Sequence, residues 1–228
     1  MSKPPDRPLY RRLAARAAGH ALSLFARFIA APRADWRGIA PEPKQRVYFA
    51  NHVSNGDMPM IWTVLPPALR RQTRPVAAAD YWLKNRVRAF VGPEVFNAVL
   101  VDRRKENRDT DPLAAILDAL EDGSSLIIFP EGNRNMGDDL LLPFRSGLYN
   151  MGKAYPDVDL VPTWVANLGE IMPKGEVIPL PLMCTVTFGE PIHVGEDEPI
   201  DAFLTRARDA LGALAPEEQR LATGWQSA

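Results

Sequence analysis

The segment Ser125-Leu126-Ile127-Ile128-Phe129 narrows the fold of this chain more than any other stretch. It is short, uncharged and almost wholly apolar. Asp122-Gly123 precedes it, and Pro130-Glu131-Gly132-Asn133-Arg134 follows at once. An apolar run of this length between turn signals reads as a buried strand. Similar runs recur at residues 46–50, 76–79, 98–101, 160–166 and 183–188. Between them lie segments with helical patterning at 58–65, 81–90, 112–120 and 147–155, and two more, 202–214 and 217–222, close the chain. Pro59 suits the first turn of the first of these, and Pro66-Pro67 ends it. Strands alternating with helices specify an α/β layered domain with a largely parallel central sheet. In such sheets ligands bind where polar residues gather just past the strand ends.

A helical pattern also precedes the first strand. From Leu9 to Ala31, Leu13, Ala17, Leu24, Phe25, Phe28 and Ile29 are interleaved with Arg11, Arg12, Arg16 and Arg27. Arg16, His20 and Arg27 interrupt the apolar run that a signal peptide or a membrane span requires. Two readings of this amphipathic helix stand on the segment alone: it lies in a bilayer interface, or it caps the core of the domain. Residues 1–8 read as a frayed end, and residues 32–43, with Trp36 among them, as an irregular connector. The chain thus divides into an amino-terminal segment, 1–45, and a domain, 46–228.

Composition excludes several classes. The formal net charge of −1 argues against a dedicated nucleic-acid binder, although residues 1–46 carry ten Lys and Arg against three acids. A basic front end of this kind suits a membrane surface. Cys184 is the single cysteine, so there is no disulfide framework and no thiolate metal site. The three histidines, His20, His52 and His193, are far apart and no metal-binding pair is apparent. Cys184 lies within an apolar strand and reads as core, His193 as a surface residue.

Three polar clusters follow predicted strands: His52 with Asp57, Arg103, and Glu131 with Arg134. Histidine is the side chain whose unperturbed pKa suits proton traffic near neutral pH. An aspartate on one ring nitrogen fixes the tautomer and stabilises the imidazolium. Five residues apart, the two do not share a helical face, but a turn with Gly56 in it can bring them together. Arginines grip phosphate through paired hydrogen bonds, and Gly132 lets the backbone approach a ligand. A base beside a phosphate cradle points to a phosphorylated alcohol as acceptor. A histidine in a loop followed by a helix-capping aspartate is the plain structural alternative. Ser54, next but one to His52, suggests a hydrolase nucleophile, but no Gly-x-Ser-x-Gly elbow supports that chemistry.

As a set, these blocks resemble the glycerolipid acyltransferase family, the group that contains the 1-acylglycerol-3-phosphate acyltransferases. Asn51-His52-x-Ser54-x-x-Asp57 matches its His-x4-Asp motif, and Val101-Asp102-Arg103 its second block. Phe129-Pro130-Glu131-Gly132-Asn133-Arg134 matches the third block, usually Phe-Pro-Glu-Gly-Thr-Arg-Ser. Phe144-Arg145-Ser146-Gly147 resembles the Phe-Lys-x-Gly step that follows it, and Leu160-Val161-Pro162 the fourth block. The similarity runs over residues 46–192 with the blocks in order.

The resemblance implies direct acyl transfer, without an acyl-enzyme, from acyl-CoA or acyl-carrier protein to the free hydroxyl of lysophosphatidate. His52 and Asp57 would be catalytic. Arg103, Glu131, Gly132 and Arg134 would bind the acceptor phosphate, with Asn51, Ser54, Arg145 and Pro162 in support. No cofactor or metal is implied. Membrane lipids would be met through the amino-terminal helix, at the cytoplasmic face of a membrane. Asn133 and Asn135 stand where threonine and serine are usual, which leaves another lysolipid, such as a lyso-aminolipid, open as acceptor. A lipid-binding module without catalysis is the remaining rival, and an intact His52/Asp57 pair argues against it.

Overall fold

The structure is a computed structural model that describes residues 8–102, 111–166 and 184–225. Arg103, most of the amino-terminal end (1–7) and the first residue of the strand expected at 183–188 lie outside the described residues. Strands β1 (Arg33–Trp36), β2 (Arg46–Ala50), β3 (Thr73–Ala78), β4 (Val99–Val101), β5 (Ser125–Ile128), β6 (Asp159–Ala166) and β7 (Thr185–Phe188) form one sheet. Its order is β1-β7-β6-β2-β5-β3-β4. Strands β6, β2, β5, β3 and β4 run parallel, while β7 lies antiparallel to β6 and β1 parallel to β7.

Every residue of β2, β5 and β6 is buried, because side chains alternate between two covered faces. On one face Tyr48, Ile127, Val161, Val186 and Phe188 pack with α1 (Leu9–Ala30), α2 (Asp57–Val64) and α3 (Pro67–Gln72). On the other, Val47, Phe49, Leu126, Ile128 and Trp164 pack with α6 (Pro112–Glu121), α7 (Gly147–Ala154) and α8 (Ile200–Gly212). A last helix, α9 (Glu217–Thr223), follows α8. The result is the expected layered α/β architecture.

Pro162, in the middle of this sheet, lacks a donor without weakening it. It is paired with Phe49 of β2, and its carbonyl accepts from Gly189 N at 2.9 Å on the β7 side. The N and C=O of one strand residue face the same neighbour, so the missing N–H also faces β7, just past the ladder's last pair, Thr163 with Phe188.

Two expectations are corrected. The connector at 32–43 contains β1, an edge strand of Arg-Ala-Asp-Trp with no apolar alternation to announce it. Only Trp36 packs firmly, stacked on Phe188 with centroids 4.0 Å apart. The single helix at 81–90 is two short ones, α4 (Ala79–Trp82) and α5 (Arg86–Phe90). Asn85 breaks them, its side chain capping α5 by accepting from Arg88 N at 2.9 Å. A π-helical turn, Val91–Val95, then leads toward β4.

Helix α1 meets the body through its small residues and through Leu22 and Ile29. Ala15, Gly19, Ser23, Ala26 and Ala30 are buried, at spacings of one helical turn. A Cβ on Gly19 would stand 3.3 Å from Val95 and 3.4 Å from Trp62. Phe25, Phe28, Leu24, Leu13 and Tyr10 point to solvent. No helix among the described residues is long and apolar enough to cross a membrane.

Candidate active site

Strands β2 and β5 end side by side, and the loops that leave them carry His52 and Glu131. The turn after β2 folds back on the first residue of α2, Asp57, which is fully buried. Its Oδ2 accepts from His52 Nδ1 at 2.9 Å and from Val53 N and Ser54 N at 2.8 Å each. The carboxylate therefore ties back the turn that precedes its helix and holds the imidazole, with Nδ1 as the protonated nitrogen. Nε2 is left as the basic atom, on a side chain 19% exposed. Phe129 stacks on the ring at 4.2 Å and 20°, fixing its plane. Ser54 Oγ accepts from Gly56 N at 3.2 Å, which makes Ser54 a turn residue.

Backbone contacts hold His52 from both sides. Its N donates to Glu131 Oε1 at 3.0 Å and its carbonyl accepts from Asn135 N at 2.6 Å. Glu131, 4% exposed, takes Leu142 N on its other oxygen at 2.9 Å. Burial pushes the pKa of this carboxyl above its ordinary value, opposed by the two amide donors. Both oxygens are thus occupied by backbone, and the side chain acts on the loop of His52. Asn51 bonds β6 as another strand would: its Nδ2 donates to the Val165 carbonyl at 3.0 Å and its Oδ1 accepts from Val165 N at 2.8 Å.

Gly132 has φ +76, and a Cβ there would collide with the Arg145 side chain. Only glycine permits this turn with the guanidinium lying against it. Asn133 satisfies both neighbours when its oxygen accepts from Arg145 Nη2 at 3.2 Å and its nitrogen donates to the Gly132 carbonyl at 3.1 Å. Arg134 is exposed and makes no ion pair among the described residues. Asn135 is a loop clip: its Nδ2 donates to the Asp139 carbonyl at 2.7 Å and its Oδ1 accepts from Gly137 N at 3.1 Å. The structure thus brings His52, Asp57, Glu131, Gly132 and Arg145 to one edge of the sheet. Arg103 lies outside the described residues, and Pro162 is buried within β6. The Cys184 thiol is pushed up to about 12, by burial first and by the charge of Asp57 second, so it stays protonated and serves as core.

Sequence reasoning missed Asn133 and Arg145 as partners, and it missed Arg208 of α8. Arg208 Nη2 donates to the Leu141 carbonyl at 2.6 Å, next to the amide that Glu131 accepts. A basic residue on a helix far along the chain carries no local signal for that contact.

Comparisons with known proteins identify the fold and the family. Among curated proteins, a 1-acyl-sn-glycerol-3-phosphate acyltransferase of Chlamydomonas reinhardtii is 26% identical over 183 residues, covering 79% of this chain and 51% of that protein. The chain therefore spans about half the length of that relative. Among solved structures, the 1-acyl-sn-glycerophosphate (LPA) acyltransferase PlsC of Thermotoga maritima superposes with a TM-score of 0.67 at 17% identity. That match covers 99% of this chain and 86% of the other, and establishes a shared fold. The family described as Acyltransferase matches residues 37–166, more than half of the chain and all of the His52, Glu131 and Pro162 blocks, and the chain belongs to that family.

Proposed function

We propose that this protein transfers a fatty acyl group from a thioester, acyl-CoA or acyl-carrier protein, to the free hydroxyl of lysophosphatidate, giving phosphatidate. The observation that carries the reading is the His52–Asp57 contact of 2.9 Å, with Nε2 left free at the edge where the parallel strands end. Nε2 takes the proton of the acceptor hydroxyl as its oxygen attacks the thioester carbonyl. The tetrahedral intermediate collapses by breaking the C–S bond, and the departing thiolate takes the proton back from the imidazolium. Asp57 steadies that cation. Holding both substrates at one edge turns a bimolecular reaction into a local one.

Arg134 and Arg103 are proposed to hold the acceptor phosphate, with Arg145, held by Asn133, in support. One observation keeps a second acceptor in view. Asn135 departs from the usual serine for loop reasons, but Asn133 holds the guanidinium of Arg145. A lysolipid with another head group is therefore the alternative substrate. The membrane reading is part of the proposal: α1 lies on the cytoplasmic face of the bilayer that contains the acceptor.

The test is an acyl-transfer assay read by mass spectrometry, with a long-chain acyl thioester and parallel acceptors: lysophosphatidate, other lysophospholipids and a lyso-aminolipid. We expect phosphatidate from the wild-type protein, and at least about a hundredfold less from His52→Ala. Arg134→Ala should mainly raise the acceptor KM. A His52-dependent product with another lysolipid alone keeps the chemistry and replaces the acceptor. Full activity of His52→Ala overturns the mechanism.

A further inference from the structure

The large apolar side chains that stand in solvent are not scattered over the described surface. Apart from Leu221, they lie on α1, on the α4–α5 segment, or beside the active-site loops as Val53 and Met136. Topology gathers these places at one edge. Strand β3 runs parallel to β5 and β2, so α4 leaves the sheet at the edge from which His52 and Glu131 leave it. Strands β7 and β1 begin there too, with Thr185 beside Ala166 and Arg33 beside Thr185. The Ala30 carbonyl at the end of α1 accepts from Cys184 N at 3.0 Å. The start of α1 lies against the turn after α5, where Arg11 Nη2 is 3.2 Å from Glu94 Oε1.

Between the first turns of α1 and α5 is a groove of about 430 Å³ lined by Arg11, Arg86, Ala89, Phe90 and Glu94. Two guanidinium groups face one carboxylate. Glu94 is matched by Arg11, whereas Arg86 is exposed and makes no ion pair among the described residues. The neighbours along the chain, Tyr10 and Val87, are 71% and 72% exposed. A cationic groove with an apolar rim suits a molecule with an anionic head and hydrocarbon tails. Soluble phosphate would leave the rim unused.

We propose that this groove is a second lipid site, separate from the catalytic loops, that seats the head-group phosphate of an anionic bilayer lipid while Tyr10 and Val87 dip among the chains. The α4–α5 segment then docks beside α1, and the two together turn the His52 edge toward the membrane. The inference rests on the membrane reading proposed above and extends it to a defined site.

The experiment is co-sedimentation of the full chain with phosphatidylcholine vesicles, with and without phosphatidylglycerol. It compares wild type, Arg86→Glu and Ala89→Trp. Thermal melts and turnover of a short-chain, water-soluble acceptor check that the variants are folded. Wild type should prefer the anionic vesicles. Arg86→Glu, which changes two units of charge, should lower that preference roughly thirtyfold. Ala89→Trp keeps every charge and fills the groove, and should lower the preference about fivefold or more, as loss of one charge–phosphate contact does. If Ala89→Trp unfolds, Ala89→Leu is the milder filler and is judged by the same outcomes. A filled groove with the wild-type preference overturns the site, because diffuse surface charge then explains any effect of Arg86→Glu. Equal binding of wild type to both vesicles overturns the site and leaves the membrane reading standing. Binding to neither vesicle overturns both.

Discussion

Both oxygens of Glu131 are taken by backbone amides, those of His52 and Leu142. Glutamine in its place offers one oxygen and one NH2, so one of the two N–H groups would face a donor. An unmet buried group costs about 1–3 kcal/mol. In a chain of this size that lowers Tm by roughly 2–4 °C for each kcal/mol. Because Glu131 braces the loop of His52 through both amides, Glu131→Gln should lower kcat about tenfold or more while the acceptor KM moves little. The opposite split, an intact kcat with a raised acceptor KM, would put Glu131 on the acceptor phosphate instead. The proton-transfer pair was legible in the sequence because its two members are only five residues apart and a single turn brings them together. The role of Glu131 was not. Leu142 N lies in a loop with no repeating pattern, and the second partner belongs to a different strand end. Asn51 shows the same limit: its clip to Val165 joins residues from separate strands.

Elements with strong periodicity or a long apolar run, such as β2, β5, β6, α6 and α8, were legible within a residue or two. Those that failed were held by tertiary contacts. Strand β1 has Trp36 stacked on Phe188 and little else to mark it. The break between α4 and α5 depends on a single capping asparagine. The loop from β5 to α7 is a further case, since its shape is set from outside. Arg208 of α8 bonds the Leu141 carbonyl, and its guanidinium carbon lies 4.6 Å from the Trp225 ring centroid. Trp225 in turn fills the space against Gly212, where a Cβ would stand 2.6 Å from its ring. Leu142 then presents its amide to Glu131. Arg208 is thus a positioning residue for His52, acting from beyond the segment that matches the family. Arg208→Ala removes a charged hydrogen bond worth about 1.5–3 kcal/mol. It should lower kcat several-fold with the acceptor KM unchanged, and Arg208→Lys should restore part of the loss. A fall in Tm with kcat untouched would reduce Arg208 to a purely structural anchor.

For the molecule as a whole, the decisive asymmetry is in α1. Its small residues face the body together with Leu22 and Ile29, and its other large ones face away: Phe28 is 89% exposed and Phe25 60%. A helix that only capped the core would be arranged the other way round, because burying a phenylalanine contributes about 1.5–3 kcal/mol and burying an alanine far less. Leaving such residues in solvent is explained if a bilayer covers them, with Arg12 and Arg16 at the level of the head groups. The double variant Phe25→Ser/Phe28→Ser tests this independently of lipid charge. Both side chains are largely exposed, so Tm should stay within about 1–2 °C of wild type. Partitioning onto neutral vesicles should fall at least about tenfold. Turnover of an acceptor embedded in vesicles should fall with it, whereas turnover of a short-chain, water-soluble acceptor should not. Unchanged partitioning would mean that α1 is covered by something other than lipid. Loss of turnover on both acceptors would instead tie α1 to the geometry of the catalytic edge, through the Ala30 carbonyl and the Cys184 amide that join it to the start of β7.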